Sequence, residues 1–314
     1  MEETIEFFAR IFLLLSSLFT YAHSPTVSPP VSPVVIQQEQ FVLSEVKILA
    51  VGDLFFDRSL RRIAEQNGEY LFDCTKELFA QADFAVGNLE GPITATSSRS
   101  RGSVVGSPEN YIFTFPQNTA KLLAANHFGA VNLGNNHISN FGQEGIASTR
   151  EYLSASGVGD FGGIAGVEPV AHIDHGGIKL SFVSYNEFGG APHEDVAQKI
   201  SVEKAAGRIV VVYTHWGDEY STSTTRLRPV AEKLAQAGAS VIIGSHPHVV
   251  AGHEYIGQTL VYYSLGNFIF DQYWNDDVSH GLALLLHMFS DGTVAAEEFP
   301  VSLTHDGRTC LATK

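Results

Sequence analysis

Apolar residues in this chain form short compact runs that predict strands and longer stretches with helical spacing. The predicted strands span 46–51, 82–86, 129–133, 208–213, 240–243, 281–288 and 293–301. The predicted helices span 58–67, 72–81, 117–126, 142–156, 195–206 and 227–237. Hairpins are predicted over 170–185 and 249–265, and residues 94–110, which lack periodicity, are predicted to form a long loop. Strands that alternate with helices and end in a run of strands predict a mixed sheet system with helices outside it.

Three segments of different composition divide the chain. Residues 1–22 contain a short apolar stretch and are predicted to be a leader, either a signal peptide or a membrane anchor. The segment starts with acidic residues, unlike most export signals, so an unprocessed amphipathic helix is the alternative. Residues 23–44 are rich in Pro, Ser and Val and predict a linker, and residues 45–314 predict one folded domain. This organisation predicts an exported protein at the cell surface or anchored to the membrane.

Composition and charge narrow the class of protein. Of the 314 residues, 44% are hydrophobic and 17% are charged, which is typical of a globular domain and excludes disorder. The formal net charge of −15 argues against nucleic acid as a partner, because phosphate binding needs clustered Lys and Arg. The two cysteines, Cys74 and Cys310, are either free or joined in one disulfide.

Polar clusters follow the ends of several predicted strands, where ligands bind in open α/β sheets. Together they contain carboxylates, an amide and imidazoles, which is the ligand mix of a divalent metal site able to activate water. The five clusters are Val51-Gly52-Asp53, Gly87-Asn88-Leu89-Glu90, Asn135-Asn136-His137, His215-Trp216-Gly217-Asp218-Glu219 and Gly244-Ser245-His246-Pro247-His248.

The His246-Pro247-His248 string is the strongest single signal. Proline biases the preceding His246 towards extended backbone, so the two imidazoles at i and i+2 are expected to converge on one site. His215 ends the most apolar strand, where an imidazole needs a partner.

Other polar residues have two interpretations each. Asp53 is either a ligand or a helix N-cap. Asn88 either hydrogen-bonds behind Glu90 or sets a turn. Glu219 either orients an imidazole or is a solvated loop acid, and Asn267 either contacts substrate or sets a turn. Neither a serine nucleophile elbow nor a cysteine near the clustered histidines is present, which disfavours covalent catalysis.

In this order, the clusters resemble those of the CapA family of poly-γ-glutamate capsule synthesis proteins, a branch of the calcineurin-like metallophosphoesterase superfamily. The resemblance spans residues 46–288, and its most specific strings are Asn135-Asn136-His137, His215–Tyr220, Gly244–Val249 and Tyr263–Phe268. It implies an α/β fold of four layers, a two-sheet β-sandwich flanked by helices, with a two-metal site at the loops after the strands.

The resemblance also assigns residues and partners. It implies two divalent metal ions, of Mn, Fe, Zn or Mg, and His137 as the proton donor or charge stabiliser. The implied ligands are Asp53, Glu90, Asn136, His215, His246 and His248. Asn88, Asn135, Glu219 and Asn267 are expected to orient ligands or contact substrate. The implied partners are an anionic polyglutamate or another cell-surface polymer, and membrane-bound components of capsule synthesis.

Three positions depart from the superfamily or branch pattern. Phe55 stands where metallophosphoesterases usually have a histidine ligand, Glu90 where they have aspartate, and Asn140 where the CapA branch tends to have aspartate. One metal is therefore expected to be short of a ligand. Two functions follow: a metal-dependent hydrolase acting on a phosphoryl or amide centre, or a non-catalytic capsule component that binds and passes on the polymer.

Overall fold

A computed structural model describes residues 43–312 of the chain. The predicted leader over 1–22 and nearly all of the predicted linker over 23–44 lie outside these residues. Within the described part, no helix is both long enough and apolar enough to cross a bilayer.

The first sheet has eight strands and carries the start and the end of the described chain. Its order is β14-β13-β12-β1-β2-β3-β4, with β11 paired to β1. Strands β1 to β4 are parallel, whereas β12, β13 and β14 pair antiparallel. The strands are β1 Glu45–Leu54, β2 Phe84–Leu89, β3 Phe128–Asn132, β4 Gly159–Phe161, β11 Asn267–Ile269, β12 His280–Phe289, β13 Val294–Leu303 and β14 Thr309–Leu311.

The second sheet has six strands in the order β5-β6-β7-β8-β10-β9. Its central strands β6, β7, β8 and β10 are parallel, and a hairpin closes each edge. The strands are β5 Ala171–His175, β6 Ile178–Asn186, β7 Ile209–His215, β8 Val241–Ser245, β9 His253–Ile256 and β10 Thr259–Tyr262.

Seven α-helices and two short 3₁₀ turns complete the described elements. The helices are α1 Arg61–Asn67, α2 Lys76–Phe79, α3 Thr119–Ala125, α4 Gly142–Ala155, α5 His193–Ala205, α6 Arg228–Gln236 and α7 Asp276–Ser279. The 3₁₀ turns are Gly68–Phe72 and Pro108–Tyr111, the second of which ends the long loop predicted over 94–110.

Alternate residues of the strands enter different core layers. In β1, Ile48 and Ala50 face a layer between the two sheets, while Leu49 and Val51 face a layer under α1 to α4. A third layer packs the outer face of the second sheet against α5 and α6. Because both faces of these strands are buried, they read as continuous apolar runs. The predicted α/β fold, two sheets flanked by helices, is confirmed.

Two predicted helices differ from the structure. The helix predicted over 58–67 begins at Arg61, because Arg58 has a φ of 47°, outside the right-handed helical region. The helix predicted over 72–81 forms only as the single-turn α2, Lys76–Phe79, which follows a 3₁₀ turn that ends at Phe72. Between them the Thr75 hydroxyl donates to the Phe72 carbonyl at 3.1 Å, a local bond that competes with helix continuation.

The two cysteines are joined: a disulfide links Cys74, just before α2, to Cys310 in β14. The bridge ties the last strand of the first sheet to the helical layer that covers it. It settles the alternative that the sequence left open.

Candidate metal centre

The predicted site residues gather at the carboxyl ends of parallel strands from both sheets. Asp53 of β1 lies in register with Asn88 of β2, and His215 of β7 lies in register with Ser245 of β8. Parallel pairing therefore brings residues far apart in sequence to one edge of the molecule, as the strand-end pattern predicted.

Three buried side chains form the centre of this group. One potential ligand atom from each of Glu90, His215 and His246 lies within 4.8 Å of the others. Glu90 and His215 are fully buried, and His246 is only 4% exposed. One carboxylate and two imidazoles in this spacing are a set that could hold a divalent cation.

Glu90 places a carboxylate in this group with one oxygen uncommitted. The Asn88 amide donates to its Oε2, whereas Oε1 is buried and has no hydrogen-bond partner. Nε2 of His215 lies 3.5 Å from that Oε1. Burial, and then the nearby Asp53 carboxylate, raise the pKa of Glu90 well above its usual range. Since buried polar atoms normally have partners, Oε1 is placed for a cation.

His215 is held by the end of the neighbouring strand. The Ser245 hydroxyl donates to the Thr214 carbonyl at 3.0 Å, so its oxygen accepts the Nδ1–H of His215, also at 3.0 Å. That tautomer leaves a lone pair on Nε2, which lies 3.0 Å from Oδ1 of Asn136. Burial lowers the pKa of His215 well below its usual range, so the ring is neutral. An amide oxygen and a bare imidazole nitrogen facing each other fit a shared cation.

His246 contributes a second uncommitted nitrogen. Its Nδ1 is buried without a partner, and burial lowers its pKa to about 4. The predicted extended geometry is wrong: the φ of His246 is 95° and that of His248 is 59°. The backbone N–H of His246 donates to Asp53 Oδ2 at 3.3 Å, a tertiary contact that accompanies the unusual turn.

Asp53 and His248 form the second half of the site. Nδ1 of His248 lies 3.2 Å from Asp53 Oδ2 and 2.9 Å from Asn267 Oδ1. Asp53 belongs to β1 and the first helix begins eight residues later at Arg61, so the N-cap interpretation of Asp53 is wrong. Asn267 begins β11 and its amide contacts His248, which favours the orienting role over the turn.

Close backbone approach supports this position of Asp53. Its N–H donates to the Gly266 carbonyl at 3.1 Å. A Cβ on the preceding Gly52 would lie 1.9 Å from that same carbonyl oxygen, so only glycine fits there.

Asn88 connects the two halves of the site. Its amide nitrogen donates to Asp53 Oδ1 at 2.7 Å and to Glu90, and its oxygen accepts from Asn132 and Asn135 at 3.0 and 3.2 Å. The amide therefore sets the spacing of the two carboxylates, and the turn interpretation is wrong because Asn88 lies within β2. The Asn135 amide lies behind it and also donates to the Leu89 carbonyl at 2.7 Å.

Sequence reasoning missed several supporting residues. Asn132, Asn186 and Ser245 each end a strand and hydrogen-bond within the network behind the site. Their position at strand ends was the available signal. Phe188 was also missed; its ring lies 4.2 Å from that of His246 and covers it.

His137 lies beside the group. Its Nδ1 is 3.0 Å from Asn140 Oδ1, and its ring packs against Phe113 with centroids 4.2 Å apart. Burial lowers the pKa of His137 to about 3, so the imidazole is neutral at pH 7. With the Nδ1–H donated to Asn140, its Nε2 is a proton acceptor in this state.

Phe55 occupies the place of the missing ligand with an apolar ring. It is fully buried and stacks on Phe270 at 4.5 Å, and Phe270 in turn lies 4.8 Å from the His248 ring. The second half of the site therefore has Asp53 and His248, with no second imidazole from the position that follows β1.

The structure does not bring Glu219 into the group. It is exposed on the loop after β7, and within residues 43–312 it makes no hydrogen bond to any predicted ligand. The neighbouring Asp218 pairs instead with Arg226 at 3.2 Å.

Comparison with known proteins agrees with the resemblance seen in the motifs. The family described as "Bacterial capsule synthesis protein PGA_cap" matches residues 47–272. The "PGA biosynthesis protein CapA" of Bacillus subtilis (strain 168) is 28% identical over 274 residues, covering 81% of this chain and 70% of that protein. The "Capsule biosynthesis protein CapA" of Bacillus anthracis is 25% identical over 276 residues, covering 81% of this chain and 66% of that protein. With most of its length matched by the family and by these relatives, the chain belongs to the bacterial capsule synthesis protein family, PGA_cap.

Proposed function

We propose that this protein is a metal-dependent hydrolase that acts on an anionic polymer in capsule synthesis. The observation that carries the proposal is the pair of buried, unpartnered ligand atoms, Oε1 of Glu90 and Nδ1 of His246, beside the lone pair of His215. A protein interior rarely leaves such atoms unsatisfied without a functional reason. The names of the two relatives, which refer to PGA biosynthesis and to capsule biosynthesis, support a role in making a capsule polymer, and the polymer implied by the family resemblance is poly-γ-glutamate.

Glu90, Asn136, His215 and His246 would hold the first cation. A bound divalent ion would supply Lewis acidity and lower the pKa of a water ligand from 15.7 towards about 7. The chain itself orients the ligands: the Ser245 hydroxyl fixes the tautomer of His215, so that the lone pair of His215 Nε2 faces the site.

Asp53 and His248, with Glu90 between the two halves, would hold a second cation more weakly. Phe55 offers no donor atom, so this half has fewer ligands than the first. We therefore propose one tightly held ion per chain and a second that exchanges readily.

His137 is proposed to move a proton at its Nε2. The ring is neutral and fixed by Asn140, so Nε2 first accepts a proton from a reacting group and can then return it to the leaving group. The apolar support of Phe113 keeps the imidazole in place and excludes water from one of its faces.

Location at the cell surface, exported or membrane-anchored, is part of the same proposal, with membrane-bound capsule synthesis components as partners. The Cys74–Cys310 disulfide supports it, because such bridges persist mainly in oxidising compartments outside the cytosol.

A second candidate is a non-catalytic carrier that uses the same cation to bind polymer. The observation that favours it is the replacement of a histidine ligand by the buried Phe55, which weakens the two-cation arrangement that the superfamily resemblance implies. Polymer bound through the cation, without turnover, would distinguish this candidate.

Metal analysis of the purified protein, followed by a phosphodiesterase and peptidase screen, tests both candidates. The key variant is His246→Ala, and the matched control is His253→Ala, since His253 lies on β9 away from the site and its side chain is 50% exposed. Metal and activity lost in the first variant and kept in the second support the hydrolase. Metal present with polymer binding but no turnover supports the carrier, and no bound metal at millimolar supply contradicts both.

A further inference from the structure

A cavity of about 420 Å³ opens between the 100–110 loop and the segment after β11. Its walls combine the Arg58 guanidinium and the Asp271 carboxylate, which pair with each other, with hydroxyl and amide groups and two exposed apolar side chains. Lining residues include Arg58, Ser59, Ser103, Val105, Asn110 and Trp274. None of these residues was singled out by the sequence motifs, and none belongs to the ligand set of the metal centre.

The guanidinium of Arg58 is fixed in the wall of this cavity. Its Nε donates to Asp271 Oδ1 at 3.0 Å and its Nη2 donates to the same oxygen, while the Ser59 hydroxyl donates to Oδ2 at 2.9 Å. Arg58 adopts a φ of 47°, an uncommon backbone conformation for a residue with a side chain. Among residues 43–312, no acceptor is bonded to its Nη1. Asp271 thus orients the fork and leaves part of it available.

Aromatic rings connect Arg58 to the metal centre. Its Cζ lies 4.6 Å from the centroid of Phe55, 5.2 Å from that of Phe113 and 5.6 Å from that of Phe270. Phe113 packs on His137 and Phe270 packs on His248, so a single aromatic ring separates the Arg58 guanidinium from each of these imidazoles. The residue that replaces the histidine ligand therefore forms the platform for Arg58.

The charge of the protein indicates a role for the Arg58 guanidinium in binding an anionic substrate. The chain carries a net charge of −15, and the centre itself contains Asp53 and Glu90, so an anionic substrate meets repulsion from most of the surface. A guanidinium held over aromatic rings, with its fork partly free, is suited to bind carboxylate or phosphate oxygens.

We infer that this cavity is a subsite for an oxyanion group of the substrate and that Arg58 is the residue that recognises it. The inference rests on the proposed function, because it places a neighbouring acidic group of the polymer beside the reacting one. Val105, 90% exposed, and Trp274, 60% exposed, line the same cavity and would pack against the aliphatic part of an acidic unit. Carboxylate and phosphate are the two sources of such a group.

Isothermal titration calorimetry on the metal-loaded full chain tests the subsite with two probes, γ-linked pentaglutamate and inorganic phosphate. The variants are Arg58→Gln and the matched control Arg62→Gln, which removes the same charge from an exposed position on α1. Arg58→Gln should raise Kd about ten-fold, the loss of one charge-assisted hydrogen bond, and Arg62→Gln less than about two-fold.

The outcomes separate the sources. If Arg58→Gln weakens the binding of pentaglutamate alone, the result supports a carboxylate subsite. If it weakens the binding of phosphate alone, the result supports a phosphate subsite, and if it weakens both, an unselective oxyanion subsite. Equal effects of the two variants, or no binding of either probe to the wild type, would overturn the inference. If Arg58→Gln does not fold, Arg58→Lys, which keeps the charge but not the fork, serves instead, and an unchanged Kd for both probes refutes the inference. Metal content measured in parallel reports separately on the proposed function.

Discussion

The Glu90→Gln substitution tests whether the centre is built for a cation at the expense of the stability of the metal-free fold. In a chelator, the wild type buries a carboxylate whose Oε1 has no partner. Glutamine keeps the acceptor for Asn88 and places an amide donor near Nε2 of His215, 3.5 Å from the present Oε1. Removing an unsatisfied buried group is worth about 1–3 kcal/mol, so the variant should be more stable than the wild type by about that amount.

The wild type should become more stable than Glu90→Gln when metal is supplied. At a free metal concentration about 1,000 times its Kd, the wild type gains about 4.1 kcal/mol from binding, whereas the glutamine variant gains almost nothing. Urea denaturation followed by circular dichroism, with chelator and with metal, measures both differences. Glu151→Gln is the control, because it removes the same charge from an exposed position on α4 and should change stability by less than about 0.5 kcal/mol.

The stability that Glu90→Gln gains over the wild type in chelator should also depend on pH. Burial raises the pKa of Glu90 in the folded state above its value of about 4.3 in the unfolded state. The protonated carboxyl therefore contributes fully to stability below the unfolded-state pKa, and this contribution is lost as the pH rises through the folded-state pKa. The advantage of glutamine should therefore be small near the unfolded pKa and larger at neutral pH. A glutamine variant that is less stable than the wild type in chelator, or that still gains stability from metal, would refute the reasoning.

Three further predictions concern the disulfide, the missing ligand and the proton-transfer residue. Serine at both Cys74 and Cys310, which close a loop with a sequence separation of 236, should lower the free energy of unfolding by about 2–5 kcal/mol in urea titrations; a loss below 1 kcal/mol would contradict this. Phe55→His should raise metal content, by mass spectrometry of dialysed protein, from about one to about two ions per chain, and unchanged stoichiometry would count against the incomplete second half. Asn140→Ala should lower kcat about ten-fold with metal content unchanged, since His137 loses its orienting partner, and an unaltered kcat would remove His137 from the mechanism.

Much of the site could be predicted because parallel strands have a local signature with a geometric consequence. Each buried strand reads as an apolar run, and the polar residues that follow it must emerge at the same sheet edge. Asp53, Glu90, His215 and His246 were found in this way. The α/β class was available from the same runs, whereas the two-sheet sandwich came only from the family resemblance.

Other features depended on contacts between distant segments. Local bias predicted His246 to be extended, but the contact of its backbone N–H with Asp53, 193 residues away, accompanies a positive φ. His246 and His248, two residues apart, consequently belong to different halves of the site. The apolar spacing over 72–81 came from the buried Phe72, Leu78 and Phe79, which lie in a 3₁₀ turn and a separate single helical turn that a window of sequence cannot distinguish from one helix.

By itself, the sequence determined which chemical groups lie at strand ends and to which family the chain belongs, because apolar periodicity and ordered motifs depend on residues that are close together in the sequence. Only the tertiary structure decided how those groups are divided. Packing of the two sheets joined Glu90 to His215 and His246 and left Asp53 with His248. Packing of the first sheet against its helical layer bridged Cys74 to Cys310 and set Arg58 on aromatic rings. These contacts follow from strand order, register and core packing, which depend on the whole chain at once.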